Sequence, residues 1–314
     1  MSLGFVFPGQ GAQEVGMLSD LAADNPVIQR TFEMAQDAIG LPLWDIVCNG
    51  PVEELNKTAI TQPALLSASI ALWNLWKSRG GPDPELVAGH SLGEFSALVC
   101  AGCLDFSGAV QLVHARGKFM QEAVPLGQGT MAAILGLDDS LILQACEAAA
   151  IEVSGIVAPA NYNSPGQVVI AGSTAAVESA MEKCRSAGAK RTVQLSVSAP
   201  FHCQLMQPAA DKFAVELEKL ELKSPNFTLV QNTDAGISET VETIRKKLVD
   251  QIAQPVRWAD CVVTMKNAGM DSFVECGPGR VLGGLIRRID KTLSANSLGT
   301  VATFDKSEAA VKQQ

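Results

Sequence analysis

The stretch that decides the fold lies at Leu86–Gly93 and reads LVAGHSLG. Its first three residues are apolar and predict a short buried strand, and the residues from Ser91 onward predict a helix. The G-x-S-x-G motif therefore lies between a strand and a helix, which is the context that the motif requires. The glycines allow a tight turn that lifts the Ser91 hydroxyl clear of the backbone. At a helix N-terminus, free N–H groups favour negative charge beside that hydroxyl.

Short apolar strands alternate with longer helical patterns on both sides of this turn, which predicts an α/β architecture with a mostly parallel sheet. Leu3–Phe7 predicts a strand that runs into a Pro-Gly-Gln-Gly loop. Thr61–Arg79 predicts a long helix opened by Thr61 and Pro63. The last residues, Asp305–Gln314, are polar, and we expect them to fray.

The pattern changes between residues 129 and 198, where the predicted order is β-α-β-β-α-β. That order is typical of a ferredoxin-like unit. We therefore expect residues 129–198 to form a small ferredoxin-like subdomain. It would be inserted into a catalytic core made of residues 1–128 and 199–314.

The composition describes a globular protein of 314 residues with 47% hydrophobic and 18% charged residues. The net charge of −9 argues against a nucleic-acid phosphate binder. No apolar run approaches the ~20 residues of a membrane helix, and the N-terminus lacks a secretory pattern, so we expect a cytoplasmic protein without a membrane partner. Cys100 and Cys103 form a C-x-x-C without a second pair, and we expect them to be core residues.

A nucleophilic serine needs a base, and the chain has three histidines. His202 is the best candidate, because it lies in a loop that follows a predicted strand. His90 adjoins Ser91 and is a distant second, whereas His114 lies within a predicted helix and is interpreted as packed or solvent-facing. A hydrolase triad would add an acid, yet none of the candidates holds a recognisable strand-end position. These candidates are Asp105, Asp138, Asp139 and Asp211. A backbone carbonyl could orient the histidine instead.

Two further residues carry local signals. Gln10 lies in the loop after the first strand, where it could aim an N–H donor at an oxyanion, or the loop could be a simple turn. Arg116 follows Ser91 by 25 residues inside a predicted helix. A lone helical arginine is usually solvated or in a surface ion pair. If it faces a pocket, its planar guanidinium could clamp a carboxylate through two hydrogen bonds.

A series of motifs then follows in order along nearly the whole chain. They are FPGQG at Phe7–Gly11, TQPA at Thr61–Ala64, GHSLGE at Gly89–Glu94, NYNSPGQVVIAG at Asn161–Gly172, FH at Phe201–His202, QPVRW at Gln254–Trp258 and GPG at Gly277–Gly279. Together they resemble the malonyl-CoA:acyl-carrier-protein transacylase family of fatty acid synthesis. The resemblance implies an α/β-hydrolase-like core with an inserted ferredoxin-like subdomain, which agrees with the pattern above.

The resemblance also implies residue roles. Ser91 would be the acylated nucleophile and His202 its base, and the backbone N–H groups of Gln10 and Leu92 would hold the oxyanion. Arg116 would grip the free malonyl carboxylate. The family orients its histidine by the main-chain carbonyl of a glutamine, and that residue corresponds to Gln251.

Three more residues are implied to line the site. Asn161 and Asn163 match the family's Asn-x-Asn near the pocket entrance. Phe201 precedes the base, and its bulk would narrow the acyl pocket and favour malonyl over branched malonyl groups.

The implied reaction moves a malonyl group from malonyl-CoA to the phosphopantetheine thiol of acyl carrier protein, and it needs no metal or nucleotide cofactor. Carrier proteins are acidic, so docking would need a basic patch, for which Lys190-Arg191 and Arg287-Arg288 are candidates. We expect a monomer. The alternatives are a serine esterase or thioesterase with water as acceptor, a silent acyl-binding or scaffold protein, and a polyketide-type acyltransferase for another acyl-CoA.

Overall fold

The computed structural model describes residues 2–197 and 199–312, which form two sheets surrounded by helices. The strands are β1 (Leu3–Phe7), β2 (Leu86–Gly89), β3 (Gly129–Leu135), β4 (Val157–Ser164), β5 (Gln167–Ser173), β6 (Arg191–Gln194), β7 (Thr228–Val230), β8 (Ser272–Glu275) and β9 (Ser294–Ser297). The helices are α1 (Ser19–Ala22), α2 (Pro26–Ile39), α3 (Leu43–Asn49), α4 (Val52–Leu55), α5 (Thr58–Ser78), α6 (Gly93–Cys100), α7 (Phe106–Glu122), α8 (Asp139–Glu152), α9 (Thr174–Ser186), α10 (Gln207–Glu218), α11 (Val241–Ala253), α12 (Trp258–Asn267), α13 (Val281–Ile289) and α14 (Val301–Lys312).

The larger sheet is parallel and has the strand order β7-β2-β1-β8-β9. Every residue of β1 and β2 is buried, as expected for a parallel sheet that helices cover on both faces. Phe7 pairs with Gly89, so β1 and β2 end side by side. The loop that contains Gln10 and the turn that contains Ser91 therefore leave the sheet at the same edge, where α/β sheets bind ligands.

The smaller sheet is antiparallel, with the strand order β4-β5-β3-β6. Helices α8 and α9 connect its strands in the order β-α-β-β-α-β, so the predicted ferredoxin-like pattern and the α/β class are both confirmed. Its strands lie within residues 129–194. The boundaries at residues 128/129 and 198/199 stay a prediction, and Ser198 lies outside the described residues.

Helix α5 begins at Thr58, one turn before the predicted start, so Pro63 lies inside the helix and not at its opening. Proline has no N–H to donate to the carbonyl four residues earlier, which is that of Ala59. His114 of α7 supplies the missing contact, with its Nδ1 2.7 Å from the Ala59 oxygen. His114 is thus a packing residue of the α5–α7 contact, as the sequence indicated.

The expectation that Asp305–Gln314 frays is wrong for residues 305–312, which belong to helix α14. Phe304 is fully buried, and the buried Ser307 hydroxyl donates to the Ser297 carbonyl oxygen at 2.9 Å. Arg79 contacts the Asp305 carboxylate at 2.9 Å. The polar composition of this segment gave no sign of these contacts with the rest of the fold. Gln313 and Gln314 lie outside the described residues.

Cys100 and Cys103 are buried, unpaired core residues, as predicted. Within residues 2–197 and 199–312, no helix is both long and apolar enough to cross a membrane.

Candidate active site

The G-x-S-x-G turn holds Ser91 in the left-handed region, with a φ of 52°. Both glycines are required because neighbouring backbone atoms approach them too closely to leave room for a side chain. A Cβ on Gly89 would lie 1.9 Å from the carbonyl carbon of Gly93, and a Cβ on Gly93 would lie 2.0 Å from the Phe7 oxygen. The Ser91 N–H donates to Asn232 Oδ1 at 2.8 Å. A strained serine fixed in this way presents its hydroxyl to the cavity above the sheet edge.

Ser91 and His202 are in direct contact, with Oγ 2.7 Å from Nε2. The other ring nitrogen, Nδ1, lies 2.8 Å from the main-chain oxygen of Gln251. A carbonyl can only accept, so Nδ1 carries the proton and donates it there, and Nε2 is left to accept from the Ser91 hydroxyl. The histidine is oriented without an acid. Asp105, one of the acids considered, instead accepts from the Gly108 N–H at the start of α7.

The carbonyl that holds His202 is available for a reason visible in the sequence. Gln251 lies in the last turn of α11, where a carbonyl would accept from the N–H four residues later. That residue is Pro255, which has no N–H. The Gln-Pro-Val-Arg-Trp motif therefore leaves the Gln251 oxygen for the histidine.

Burial lowers the pKa of His202 to about 3, and the positive charge of Arg116 adds to that effect. Hydrogen bonds to the Gln251 and Gln254 main chains oppose it. The ring is neutral at neutral pH, so its Nε2 is ready to take the Ser91 proton.

Arg116 is buried, with 1% of its surface exposed, so it is neither a solvated helix residue nor a surface ion pair. Its Nη1 donates to Gln62 Oε1 at 2.8 Å and its Nη2 to Gln251 Oε1 at 2.9 Å. Nη2 also lies 3.4 Å from Ser91 Oγ. Burial lowers the pKa of Arg116 to about 10, while the charge of Glu94 opposes the shift. The guanidinium is still a cation at neutral pH, directly beside the Ser91 hydroxyl.

A cavity of about 250 Å³ opens above Ser91 and His202, between the two sheets. Gln10 lines it from the loop after β1, and Phe201 lines it from the loop before the histidine. The two asparagines, Asn161 and Asn163, lie on β4 at its far side. The structure thus brings together the residues implied by the resemblance. They either line this cavity or lie directly beneath Ser91 and His202.

The resemblance implies two backbone N–H groups as oxyanion donors, and that role stays a prediction. Leu92 directly follows the nucleophile at the start of α6, and Gln10 lies across the cavity mouth. Among the described residues, no group accepts a hydrogen bond from the N–H of either residue. Such unpaired donors at a helix start favour negative charge.

His90, the second candidate base, does not contact the nucleophile. Its Nε2 lies 2.8 Å from Asn163 Oδ1, and its ring packs 5.7 Å from the Trp258 ring. Burial lowers the pKa of His90, although the Asn163 contact opposes this. His90 therefore joins the serine turn to β4 of the smaller sheet.

Sequence reasoning implied only the main-chain oxygen of Gln251 and missed the buried side-chain contacts beneath the serine. Glu94, Asn232 and Gln251 form a hydrogen-bonded group there, and Gln62 of the Thr-Gln-Pro-Ala motif holds Arg116. The available signal was Glu94 itself, since it is the one charged residue of helix α6.

A serine in this turn, a neutral histidine and a buried arginine beside a cavity define a serine-dependent acyl-transfer enzyme. A family described as "acyl transferase domain" matches residues 4–308. The malonyl CoA-acyl carrier protein transacylase of Escherichia coli K12 is 55% identical over 294 residues, which cover 94% of each chain. The Bacillus subtilis protein of the same name is 39% identical over 99% of this chain and 98% of its own.

Solved structures agree with these relatives. The malonyl CoA-acyl carrier protein transacylase of Coxiella burnetii has a TM-score of 0.97 at 43% identity and covers 99% of this chain and 98% of its own. A malonyl-transacylase in complex with a type II PKS acyl-carrier protein has a TM-score of 0.97 at 52% identity, over 99% of this chain and all of its own. The chain belongs to the acyl transferase domain family and, within it, to the malonyl CoA-acyl carrier protein transacylases.

Proposed function

We propose that this chain transfers a malonyl group from malonyl-CoA to the phosphopantetheine thiol of acyl carrier protein, in fatty acid biosynthesis. The observation that carries the proposal is the contact of Ser91 Oγ with both His202 Nε2 at 2.7 Å and Arg116 Nη2 at 3.4 Å. A nucleophile, its base and a cation for an acidic acyl group thus meet at one point.

In the first half-reaction, His202 takes the Ser91 proton as Oγ attacks the thioester carbonyl. The Gln10 and Leu92 N–H groups hold the resulting oxyanion, and a donor of this kind contributes about 3 kcal/mol. His202 then protonates the leaving coenzyme A thiolate, and a malonyl-Ser91 ester remains. In the second half-reaction His202 takes the proton of the carrier thiol as its sulfur attacks the ester carbonyl. The bond between Ser91 Oγ and the acyl carbon then breaks, and His202 returns the proton to Oγ, which restores the hydroxyl and the neutral ring.

The carboxylate at the far end of the malonyl group gives Arg116 its role. A buried guanidinium attracts a carboxylate strongly, since little water screens the pair. The Nε of Arg116 is buried and has no hydrogen-bond partner among the described residues. Phe201 and the two β4 asparagines, Asn161 and Asn163, would bound the space that the rest of the acyl group occupies.

For the carrier, we propose docking through Lys190-Arg191 and Arg287-Arg288, all of which are exposed. Arg288 donates to Gln167 Oε1 at 2.6 Å, and Gln167 lines the cavity, so the second pair adjoins its mouth. Reversing both pairs to Glu should raise the KM for carrier protein and flatten its salt dependence while the malonyl-CoA half-reaction is unchanged. Unchanged carrier kinetics would refute this surface.

The test of the function is the fate of the acyl-enzyme. After brief mixing with malonyl-CoA, the protein is freed of coenzyme A and divided between buffer and holo acyl carrier protein. Intact-protein mass spectrometry follows both proteins. Transfer to the carrier much faster than loss to water supports the transacylase. An adduct that only hydrolyses would favour the thioesterase reading, and no adduct would favour a silent acyl-binding protein.

One structural relative supports a second acceptor, because it is a transacylase in complex with a type II PKS acyl-carrier protein. A polyketide-type carrier is therefore the alternative partner, and competition between the two carrier classes for the malonyl-enzyme decides it. Branched acyl-CoAs in the same assay test the role of Phe201.

Three further statements belong to the same proposal. We place the protein in the cytoplasm, because its described cysteines are unpaired, as in a reducing compartment. We expect a monomer. We also assign residues 129–198 to the small subdomain and residues 1–128 and 199–314 to the catalytic core.

A further inference from the structure

A buried carboxyl group lies beneath Ser91, and the acyl-transfer steps do not use it. Glu94 is the second residue of α6 and has no exposed surface. Its Oε1 accepts from Gln231 Nε2 at 2.8 Å. Its Oε2 accepts from the Asn232 N–H at 2.9 Å and from Gln251 Nε2 at 3.1 Å. Burying a carboxylate is costly unless donors surround it, and here three donors converge on one.

Two of these donors belong to residues that hold the nucleophile. Asn232 accepts from the Ser91 N–H through Oδ1 at 2.8 Å and donates to the Gly89 oxygen through Nδ2 at 2.7 Å. Gln251 donates from Nε2 to the Ser91 oxygen at 3.0 Å. The left-handed backbone of Ser91 is thus fixed on both sides by groups that Glu94 holds.

The Gln251 amide lies between two groups that leave it one orientation. Arg116 has only donors, and its Nη2 donates to Gln251 Oε1 at 2.9 Å. Glu94 Oε2 acts as an acceptor, since the Asn232 N–H donates to it, and Gln251 Nε2 also donates to it at 3.1 Å. The main-chain oxygen of the same glutamine holds His202. One residue therefore connects Glu94 to the base and to the guanidinium.

We propose that Glu94 is a positioning residue, whose carboxylate sets the orientation of the Gln251 amide and thereby the place of Arg116 beside Ser91. The inference rests on the proposed function, because it takes Arg116 as the group that selects a malonyl substrate. Burial raises the pKa of Glu94 to about 7, while the three donors and the charge of Arg116 oppose the shift.

Two variants separate this role from simple packing. In Glu94→Gln the Asn232 N–H still needs an acceptor, so it holds the amide oxygen at the place of Oε2, where that oxygen also accepts from Gln251 Nε2. Gln231 can adapt to the NH₂ group, because its own Oε1 is buried and has no partner among the described residues. Glu94→Met has a side chain of similar size without an oxygen, so it removes the group that holds the Gln251 amide.

The matched control is Glu275→Met, which removes a buried carboxyl group that does not contact Gln251. Glu275 is equally buried, and its carboxylate accepts from the Leu282 and Gly283 N–H groups at 3.0 and 2.9 Å at the start of α13. Glu94→Gln is the conservative variant, since it keeps an accepting oxygen on a side chain of the same length. Urea unfolding establishes that each variant folds.

The experiment measures acylation of each variant by malonyl-CoA and by acetyl-CoA with rapid quench and intact-protein mass spectrometry. Each rate is divided by the concentration of protein that carries an acyl group once the reaction is complete, so that unfolded molecules do not affect it. We expect Glu94→Met to lower the ratio of malonyl to acetyl rates about tenfold, the scale of one hydrogen bond to a charged group. Glu94→Gln should keep the ratio within about twofold, and so should Glu275→Met.

The inference is overturned if Glu94→Met keeps the wild-type ratio, or if Glu94→Gln loses it to the same extent. If Glu94→Met does not fold, Gln251→Met decides, because it removes the amide and keeps the main-chain oxygen that holds His202. A lowered ratio then supports the inference, and an unchanged ratio contradicts it. Ser91→Ala and Arg116→Ala are measured beside these variants. An adduct in the former, or an unchanged ratio in the latter, would count against the proposed function itself.

Discussion

The two sides of the acyl cavity differ in construction. The floor, formed by Ser91, His202, Gln251 and Arg116, lies at the carboxyl edge of the parallel sheet and is tied together by hydrogen bonds. The wall, formed by Met131, Asn161, Asn163 and Val169, belongs to the antiparallel sheet, and its side-chain link to the floor side is the His90–Asn163 contact.

The difference indicates a division of work. Preorganised polar groups accelerate a reaction because they need no rearrangement as charge develops, and the floor has that character. A wall of mixed apolar and amide side chains bounds the acyl group and influences binding more than chemistry. Substitutions in the floor should therefore change rates strongly, and substitutions in the wall should change them weakly.

The largest effect is expected for Ser91→Ala. Without the hydroxyl no ester can form, so malonyl transfer should fall by at least about 10⁴-fold, as for other serine nucleophiles. Intact-protein mass spectrometry should find no adduct, while thermal unfolding should show a folded protein. A surviving adduct would place the nucleophile elsewhere on the floor or on the wall.

Arg116→Ala should come next. It removes the cation beside Ser91, and we expect malonyl acylation to fall about 100-fold, the upper range for a charge-assisted hydrogen bond. Acetyl acylation should change much less, because an acetyl group has no carboxylate to bind. Paired kcat/KM values for the two thioesters measure the shift, and an unchanged preference for malonyl would refute the assignment.

His202→Asn tests the floor through stability. Burial holds the folded pKa of His202 at about 3, below the 6.5 of an ordinary histidine. As the pH falls below 6.5, His202 is protonated in the unfolded chain but stays neutral in the folded chain. The free energy of unfolding of the wild type therefore falls. Between pH 7 and pH 5 this loss should amount to about 2 kcal/mol at 1.36 kcal/mol per pH unit.

The asparagine variant lacks that loss, and asparagine tolerates the left-handed backbone that His202 adopts, with a φ of 59°. Other titrating groups are shared by both proteins and cancel in the comparison. Urea unfolding at the two pH values measures the difference. Parallel stability curves would mean that His202 is not buried as a neutral ring.

The smallest effect is expected on the wall. Asn163→Ala removes the contact with His90 at 2.8 Å, and we expect acylation to fall only about threefold, the scale of one neutral hydrogen bond. Steady-state kinetics with malonyl-CoA measure it. A loss as large as that of Arg116→Ala would show that the wall takes part in the chemistry. The division of work between floor and wall would then be wrong.

The sequence predicted the α/β class and the ferredoxin-like order because both depend on local periodicity. It also singled out Ser91, since a G-x-S-x-G between a strand and a helix is a local signal, and His202 followed from the small number of histidines. The early start of α5 was missed, because the acceptor left free by Pro63 is satisfied by a residue 55 positions away.

The rest of the site depends on contacts between distant elements. Local pattern favours a solvated Arg116, and its burial is decided by the packing of α7 beneath the serine turn. The use of the Gln251 carbonyl depends on Pro255 and on where α11 ends. Glu94 is another long-range case, since its partners Asn232 and Gln251 lie 138 and 157 positions away.

The central claim is that the floor carries the chemistry through one serine. The most direct test is peptide mapping of the wild-type protein, quenched within one turnover of malonyl-CoA. The account predicts one malonyl group, on the peptide that contains Ser91, and none after Ser91→Ala. A malonyl group on any other residue, or full transfer activity without an adduct, would contradict it.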